Sequence, residues 1–237
     1  MNRFFAAFEH INGGLVTLGP EESRHLRSVL RLGIGATVNV FDGIGREYLC
    51  RVQGLEKRST ILEVIDEIAV VSPESAFDLT LGATILKGEK LDLVIQKAVE
   101  LGVYSVIPIQ TVRCDVQVRD AEKRVARWQK IALEATKQSG RAQIMQVHPI
   151  TEFKTVIVER PFVTLFSERG GKPFPTVSAD TRMTAVFGPE GGWDDSELEF
   201  AAAQKVPIVT LGGRILRAET AAISIVALLQ NRFGDLA

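Results

Sequence analysis

From Phe187 to Phe233 the chain reads FGPEGGWDDSELEFAAAQKVPIVTLGGRILRAETAAISIVALLQNRF, and the rest of the sequence is organised around this stretch. Two short β-type runs, MTAVF and PIVTL, each lead into a glycine-rich turn and then a helical pattern. Such turns expose backbone N–H groups, which suits a nucleotide-like ligand. The spacing alone leaves open whether they form a ligand site or are two ordinary strand-to-helix turns.

The region before this stretch, from residue 73 onward, alternates strands and helices. LTLGATIL and YSVIPIQ read as strands around the helical pattern KLDLVIQKAVELGV, and a long helix is predicted at about Asp120–Ser139. MQVHPI and FVTLFSE supply further short strands. This alternation predicts a mostly parallel sheet with helices on both faces in residues 73–237.

Residues 1–72 are instead rich in strand patterns. ATVNVFD, REYLCRVQG and STILEVIDEIAV read as strands, and PEESRHLRSVLRL, residues Pro20–Leu32, reads as a helix. VVSPESAFD is the predicted linker. A small β-barrel carrying one helix is therefore expected as the first domain.

Composition excludes several classes of protein. Basic and acidic residues number 28 and 29, so a nucleic-acid surface has to be a local patch. The two cysteines and three histidines have no ligand-like spacing, so no metal site is expected. The N-terminus lacks the apolar core of a signal peptide and no apolar run is long enough to span a bilayer, so the expectation is a cytoplasmic protein without membrane association.

The turn GPEGGW, residues Gly188–Trp193, fits no phosphate-binding motif. Gly188, Gly191 and Gly192 permit positive φ or close approach of a ligand to the backbone. Asp194 and Glu197 fit a capping box that starts the next helix. Glu190 is not explained by capping, and its charge suits a cationic ligand better than a phosphate.

The second turn, LGGRILRAETAA, spans Leu211–Ala222. Ile215 and Leu216 are apolar enough to wall an adenine pocket. Arg217 and Glu219 frame the start of the last helix, where the helix dipole favours an acidic residue. The simpler interpretation of these two residues is an ion pair, and Thr220 is a candidate for a helix cap or a ligand contact.

Basic residues cluster in two places. Arg24, Arg27 and Arg31 recur at spacings that place them on one face of the predicted helix, near two aromatic residues at the N-terminus. The long helix is also basic and closes with EATKQSGR, ending at Arg141. Either cluster suits RNA phosphates, and either is also compatible with an ordinary solvated helix face.

Four motifs in order carry a resemblance to a known family: IQKAVELGV, EATKQSGR, FGPEGGW and LGGRILRAETAA. The chain resembles the bacterial 16S (small-subunit) ribosomal RNA (uracil-N3) methyltransferases, which belong to the SPOUT class. The resemblance implies an α/β domain with a C-terminal trefoil knot, whose last helix threads through a preceding loop. RHLRSVLRLGIGATVNVFDGIGREY resembles that family's N-terminal PUA-like, RNA-binding barrel.

The resemblance also implies S-adenosyl-L-methionine bound by three loops, at Leu165–Gly170, Phe187–Gly192 and Val209–Ala221. The cofactor-binding residues it predicts are Leu165, Phe166, Gly188, Glu190, Gly191, Leu211, Gly212, Ile215, Leu216, Arg217, Thr220 and Ala221. It implies a homodimer in which the partner chain helps to complete the site. The substrate would be small-subunit ribosomal RNA, naked or in an assembled 30S subunit.

The chemistry assigns catalytic roles to Arg217 and Glu219. Uracil N3 carries a proton in the neutral base, so the proton has to be removed or the anion stabilised. Arg217 is predicted to stabilise the developing negative charge, with Glu219 or Glu190 as proton acceptor or orienting group. RNA binding is predicted for Arg3, Arg24, Arg27 and Arg31, with Arg141.

Two alternatives remain at this point. One is a knotted methyltransferase that acts on another RNA or on a ribose 2′-hydroxyl. The other is a non-catalytic RNA-binding or assembly factor that keeps the cofactor pocket as a relic. The intact glycines and Arg217 favour an enzyme over the assembly factor.

Overall fold

The computed structural model describes residues 2–114, 120–174 and 181–236. The chain forms two compact units. The first contains Met1–Glu74 and Thr136–Ile144, and the second contains Ser75–Ala135 and Met145–Ala237. The domain boundary between residues 72 and 73 stays a prediction, and the sequence pattern did not indicate that Thr136–Ile144 packs with the first unit.

The first unit is built on a six-stranded sheet. Its strands are β1 (Arg3–Phe5), β2 (Ile11–Asn12), β3 (Leu15–Leu18), β4 (Thr37–Phe41), β5 (Glu47–Leu55) and β6 (Thr60–Ile68). The order is β1-β4-β5-β6-β3-β2, with β1 parallel to β4 and all other pairs antiparallel. The three strands predicted from the sequence, β4 to β6, are confirmed.

The sheet curls around one apolar core because its strands alternate inward and outward residues. In β3, Val16 and Leu18 are fully buried whereas Leu15 is exposed. Phe4 and Leu26 join the same core from β1 and from the helical segment. This alternation is the pattern that favours a small barrel over a two-sided sheet.

The predicted helix Pro20–Leu32 is shorter and less regular than expected. It consists of α1 (Pro20–Arg24) and a π-helical segment at His25–Val29, where the N–H of Leu30 donates to the carbonyl of His25 (3.1 Å). Arg31 lies beyond the helix with φ 53°. Because a π turn holds more residues than an α turn, spacings of three and four no longer return to one face. The prediction that three arginines share a helix face is therefore wrong.

The second unit is a parallel sheet covered by helices. Its strands are β7 (Asp78–Thr84), β8 (Ser105–Gln110), β9 (Gln146–Val147), β10 (Thr151–Glu152), β11 (Val163–Phe166), β12 (Lys172–Pro173), β13 (Arg182–Phe187) and β14 (Ile208–Thr210). Its helices are α2 (Lys90–Glu100), α3 (Ala121–Ser139), whose last turn belongs to the first unit, α4 (Phe153–Glu159), α5 (Asp195–Ala203) and α6 (Ala218–Phe233). The alternation predicted from the sequence is confirmed, although α4 was not predicted.

Both faces of this sheet are buried. Along β13, Ala185 and Phe187 pack in a cluster with α2 and α6, whereas Val186 between them packs in a second cluster with α4 and α5. Strands buried on both faces read as continuous apolar runs. This explains why MTAVF carries no alternation.

The strand order places later strands among earlier ones. The sheet runs β10-β8-β7-β13-β11-β14-β12, with β9 also paired to β8, and every pair is parallel. β13 thus lies between β7 and β11, and α6 returns from β14 to pack on α2 and β13.

Among the described residues, no helix has the length and apolar character needed to cross a membrane.

Candidate functional site

A cavity of about 590 Å³ lies where the loops after β11, β13 and β14 meet. These strands are neighbours in a parallel sheet, so their carboxyl ends share one edge, which is the usual position of a ligand site in α/β proteins. The cavity is lined by the glycine turns GPEGGW and LGGRILR, by Phe166–Glu168, by Lys90 and by Ala218, Ala221 and Ile225 of α6. The two turns identified in the sequence therefore form walls of one pocket.

Two stacked phenylalanine rings form the apolar lining beside the strand ends. Phe166 and Phe187 are the last residues of β11 and β13, and their ring centroids lie 5.1 Å apart with the planes 5° from parallel. Both side chains are buried and both line the cavity. An apolar, aromatic lining of this kind suits a flat heterocyclic ring.

The GPEGGW turn is shaped by its tryptophan. Trp193 is fully buried and its Nε1 donates to the carbonyl of Phe166 (2.8 Å). A Cβ at Gly188 would lie 2.9 Å from Cε2 of this ring, so only glycine allows the ring to pack there. Of the three glycines in the turn, only Gly192 has a positive φ, at 69°. The glycines therefore have different roles that the sequence did not separate.

The turn is also fixed by the helix that follows it. The predicted capping box of α5 is confirmed, with Asp194 accepting from the N–H of Ser196 and Glu197 accepting from the N–H of Asp194. Hydrogen bonding to Ser196 is the main cause that lowers the pKa of Asp194. Arg169 donates to the carbonyl of Trp193 and to Asp195 (both 2.8 Å), so the loop after β11 is tied to the same turn.

Glu190 is held by the start of α2. Its Oε1 accepts from Nζ of Lys90 and from the N–H of Lys87, both at 3.1 Å. Burial alone would raise the pKa of Glu190, yet the hydrogen bonds from Lys90 and from backbone N–H groups together hold this pKa below its ordinary value. A lowered pKa makes this carboxylate a weaker base, and its Oε1 is already occupied, so both features argue against the predicted role of Glu190 as proton acceptor.

The second turn opens toward solvent. Gly212 and Gly213 have φ of 81° and 78°, values that favour glycine. Ile215 lines the cavity but is 90% exposed, so it does not form a closed wall. Arg217 occupies the N-cap position of α6 and is exposed.

Glu219 lies in the first turn of α6, as the helix-dipole argument anticipated. Its Oε2 is buried and has no hydrogen-bond partner among the described residues. The alternative of an ion pair with Arg217 is not observed, because neither side chain has a polar partner in the part of the chain that the structure describes. The unpaired oxygen is a feature that an ordinary structural carboxylate lacks.

Most predicted cofactor residues come together around the cavity. Those that line it are Phe166, Gly188, Glu190, Gly191, Leu211, Gly212, Ile215, Leu216, Arg217 and Ala221. Leu165 does not, since its side chain packs on the opposite face of the sheet with the α4–α5 cluster. Thr220 and Glu219 are not part of the lining, and Thr220 makes no cap for α6.

The charged lining residues Glu168 and Lys90 were not among those predicted to contact the cofactor. Glu168 is the acidic residue of LFSERGG, the loop predicted to touch the cofactor, and its charge was the available signal. Lys90 gave no signal, because a lysine at the start of an amphipathic helix is typical of a solvated end. No group of three or more metal-ligating side chains occurs in residues 2–114, 120–174 and 181–236.

The arginines predicted to bind RNA separate into two sets. Arg3 forms a two-pronged ion pair with the buried Glu47, at 3.0 and 3.1 Å, and Arg141, whose side chain is 3% exposed, is paired with Glu74. These two guanidinium groups lie inside the first unit and are occupied by carboxylates, so we remove them from the predicted RNA surface.

The other three arginines lie nearer the surface. Arg27 donates to the carbonyls of Glu56 and Lys57 and thereby holds the β5–β6 turn. Arg24 and Arg31 are exposed and have no polar partner within the described ranges. They are the cations of this set whose charge is available to a ligand.

Comparison with known protein families gives two matches on this chain. A model described as the RNA methyltransferase domain matches residues 73–230, and one described as the RNA methyltransferase PUA domain matches residues 18–65. The first match contains every residue that lines the cavity.

Individual proteins are similar over nearly the same length. The Ribosomal RNA small subunit methyltransferase E of Bacillus subtilis is 31% identical over 215 residues, covering 85% of this chain and 84% of that protein. The enzyme of that name from Neisseria gonorrhoeae, solved bound to S-adenosyl methionine, is 33% identical with a TM-score of 0.90 and covers 100% of both chains. A Legionella pneumophila protein solved with the same cofactor is 29% identical, with a TM-score of 0.90, covering 99% of this chain and 98% of that one.

Proposed function

Because the chain belongs to the RNA methyltransferase family, we propose that it transfers a methyl group from S-adenosyl-L-methionine to N3 of a uracil in small-subunit ribosomal RNA. The observation that carries the proposal is the cavity at the strand ends, built from the glycine turns and the paired phenylalanines. The uracil and its N3 atom rest on the family resemblance of the four ordered motifs.

The residues of the cavity suit S-adenosylmethionine. Its volume of about 590 Å³ lies within the range of pockets that hold ligands of this size. Phe166 and Phe187 offer an apolar surface to the adenine. Bound there, the cofactor supplies a methyl group on a sulfonium, a reaction that requires no metal.

Arg217 is proposed to stabilise the negative charge that develops on the uracil oxygens when N3 loses its proton. Its side chain lines the cavity and is exposed at the N-cap position of α6, with no carboxylate neutralising it among the described residues. A positioned cation of this kind acts on the transition state more than on the ground state.

Glu219 is proposed to receive or orient the N3 proton. The buried, unpartnered Oε2 is available for a hydrogen bond that the chain alone does not supply. Since Glu219 does not line the cavity, the bound RNA or a second copy of the chain would have to complete this contact. The homodimer implied by the family resemblance is part of the proposal, with the 90% exposed Ile215 as an apolar residue for the partner or the RNA to cover.

The test measures both the product and the role of Arg217. The protein is incubated with methyl-labelled S-adenosylmethionine and 30S subunits that lack base methylation, and the product nucleoside is mapped; N3-methyluridine is expected. Arg217→Ala should lower the single-turnover rate by about 10²–10³-fold while cofactor affinity stays measurable. Arg214→Ala removes a second arginine of the same turn. An equal loss of rate in this variant would mean that positive charge in the turn matters, whichever arginine supplies it.

Three results would contradict the proposal. A methylated ribose in the product would place the enzyme among 2′-hydroxyl methyltransferases, and absence of cofactor binding would favour an assembly factor. Unchanged turnover in Arg217→Ala would remove the catalytic assignment.

We place the reaction in the cytoplasm, where small-subunit ribosomal RNA is found in bacteria.

A further inference from the structure

Glu168 is an acidic side chain on the cavity wall that neither the motifs nor the catalytic roles account for. It follows Phe166 and Ser167 at the end of β11, and all three residues line the cavity. A Cβ at Gly192 would lie 2.7 Å from its Oε1, so the carboxylate packs directly on the backbone of the GPEGGW turn. Two of the cofactor loops therefore meet at this carboxylate.

The charge of Glu168 is poorly neutralised by the protein. Among the described residues, its one cationic contact is with its neighbour Arg169, whose Nε lies 3.7 Å from Oε1. Arg169 is already engaged, because its Nη2 donates to Asp195 and to the carbonyl of Trp193 at 2.8 Å. A long contact to a guanidinium that is shared with another carboxylate leaves most of the negative charge on the cavity wall.

The second carboxylate of the lining is in a different state. Glu190 accepts hydrogen bonds from Lys90 and from the N–H of Lys87, so its negative charge is compensated and it holds the start of α2 to the turn. Lys90, Arg214 and Arg217 add positive charge to the lining. Glu168 is thus the lining carboxylate with the weakest compensation among the described residues.

We propose that Glu168 binds a positively charged centre of the methyl donor, either the sulfonium or the α-ammonium group. The proposal rests on the proposed function, since it requires S-adenosylmethionine in this cavity. The side chain of Glu168 is 37% exposed, so its charge is partly shielded from solvent and acts more strongly on a nearby cation than it would at a fully exposed site. If the cation is the sulfonium, the same charge favours the donor over the product, whose sulfur is neutral.

The test uses Glu168→Gln, which removes the charge and keeps the shape. Calorimetry measures the affinity of three ligands: S-adenosylmethionine, S-adenosylhomocysteine, which lacks the sulfonium, and 5′-methylthioadenosine, which lacks both cations. S-adenosylmethionine should bind about tenfold more weakly to the variant, a change of about 1.4 kcal/mol. 5′-Methylthioadenosine should change by less than about twofold.

The middle ligand identifies the cation. An equal loss for S-adenosylhomocysteine assigns Glu168 to the α-ammonium group, and an unchanged affinity assigns it to the sulfonium; either result supports the proposal. A loss of tenfold for 5′-methylthioadenosine, or no loss for any ligand, would overturn it. In the first of these cases Glu168 would contact the ribose or shape the loop.

Two controls separate this inference from the proposed function. Glu199→Gln removes an exposed charge from α5 that has no polar partner in the described residues, and it should leave all three affinities unchanged. Thermal unfolding checks that both variants are folded. If the wild-type protein binds none of the three ligands, the proposed function is wrong. If the wild-type protein binds them and Glu168→Gln binds them with the same affinities, only the role of Glu168 is wrong.

Discussion

At the scale of single residues, the site depends on a glycine whose lack of a side chain leaves room for a neighbouring ring. Gly188 directly follows the apolar strand β13, and its Cα faces the buried indole of Trp193. The indole in turn donates to the carbonyl of Phe166 and so connects two of the three loops. A methyl group at position 188 would meet a large ring that has no room to move.

Gly188→Ala should therefore destabilise the second unit by about 1–3 kcal/mol, the usual cost of overpacking. It should also weaken cofactor binding, because Trp193 can move only together with the GPEGGW turn. Denaturant unfolding followed by tryptophan fluorescence measures the first effect, and calorimetry measures the second.

Gly191→Ala is the matched control for stability. A Cβ there would have Arg113 Cβ as its nearest neighbour at 3.6 Å, an ordinary contact, and its φ is not positive. Its unfolding free energy should change by no more than about 1 kcal/mol in either direction. Equal losses in the two variants would contradict the steric explanation.

Single residues also mark where prediction from sequence ends. The turns were predicted because glycine, proline and acidic residues after an apolar strand have local meanings. Glu168 was not singled out, although its loop was predicted to contact the cofactor and its charge was visible in the sequence. Lys90 was missed because its place on the cavity wall depends on how distant segments pack, which no local pattern encodes. Arg141 was assigned to the RNA surface because it is a basic residue after a helix. Nothing in the local sequence indicates that its guanidinium is buried and paired with Glu74, 67 residues away in the sequence.

At the scale of elements, α6 contributes Ala218, Ala221 and Ile225 to the cavity lining and is held at its far end by the polar side chain of Gln230. Gln230 is fully buried in the last turn of the helix. Its Nε2 donates to the carbonyl of Gly102 and its Oε1 accepts from Oγ of Ser75, both at 3.0 Å. These bonds fix α6 to the segment before β7 and to the end of α2.

Gln230→Ala should lower the unfolding free energy by about 1–3 kcal/mol, because it leaves a partly buried carbonyl without a donor. Asn231→Ala is the control, since Asn231 is exposed and bonds only to the carbonyl of Leu236 among the described residues. It should cost less than about 0.5 kcal/mol. Similar losses in both variants would contradict the anchoring role.

The elements themselves were predictable in proportion to their regularity. The strands β4 to β6 alternate or carry β-branched residues between clear turns, and the amphipathic α2 has strong 3.6-residue periodicity. The short α4 was missed because Phe153, Val156 and Ile157 lie within a run of β-branched residues that also fits a strand. The π-helical segment was missed because no sequence rule separates it from a regular helix.

At the scale of the whole molecule, charge is distributed in a way that composition conceals. The net charge of −1 excludes a global field, yet the first unit has exposed cations without carboxylate partners at Arg24 and Arg31. The fold class predicted from the family resemblance, an α/β SPOUT methyltransferase domain with a PUA-like barrel, is confirmed. The packing of Thr136–Ile144 with the barrel could not be predicted, because it links segments far apart in sequence.

The exposed cations yield a prediction for RNA binding by the full chain. Each phosphate that a cation neutralises adds about 0.7 to the salt slope for single-stranded RNA and about 0.9 for a duplex. The double variant Arg24→Ala, Arg31→Ala should therefore reduce the slope of log K against log salt by roughly 1.5 and weaken binding at low salt. Fluorescence anisotropy with a labelled fragment of small-subunit RNA, titrated over a range of salt, measures both quantities.

Arg51→Ala is the control for this experiment. Arg51 is an exposed cation of the same unit whose charge is balanced by Glu63, at 3.7 Å, so its loss should change the slope little. Arg27 is unsuitable as a control, because its guanidinium holds the β5–β6 turn and its removal would alter the fold as well as the charge. An unchanged slope in the double variant, with normal methylation, would mean that Arg24 and Arg31 belong to a solvated face and that RNA is held by other cations of the chain.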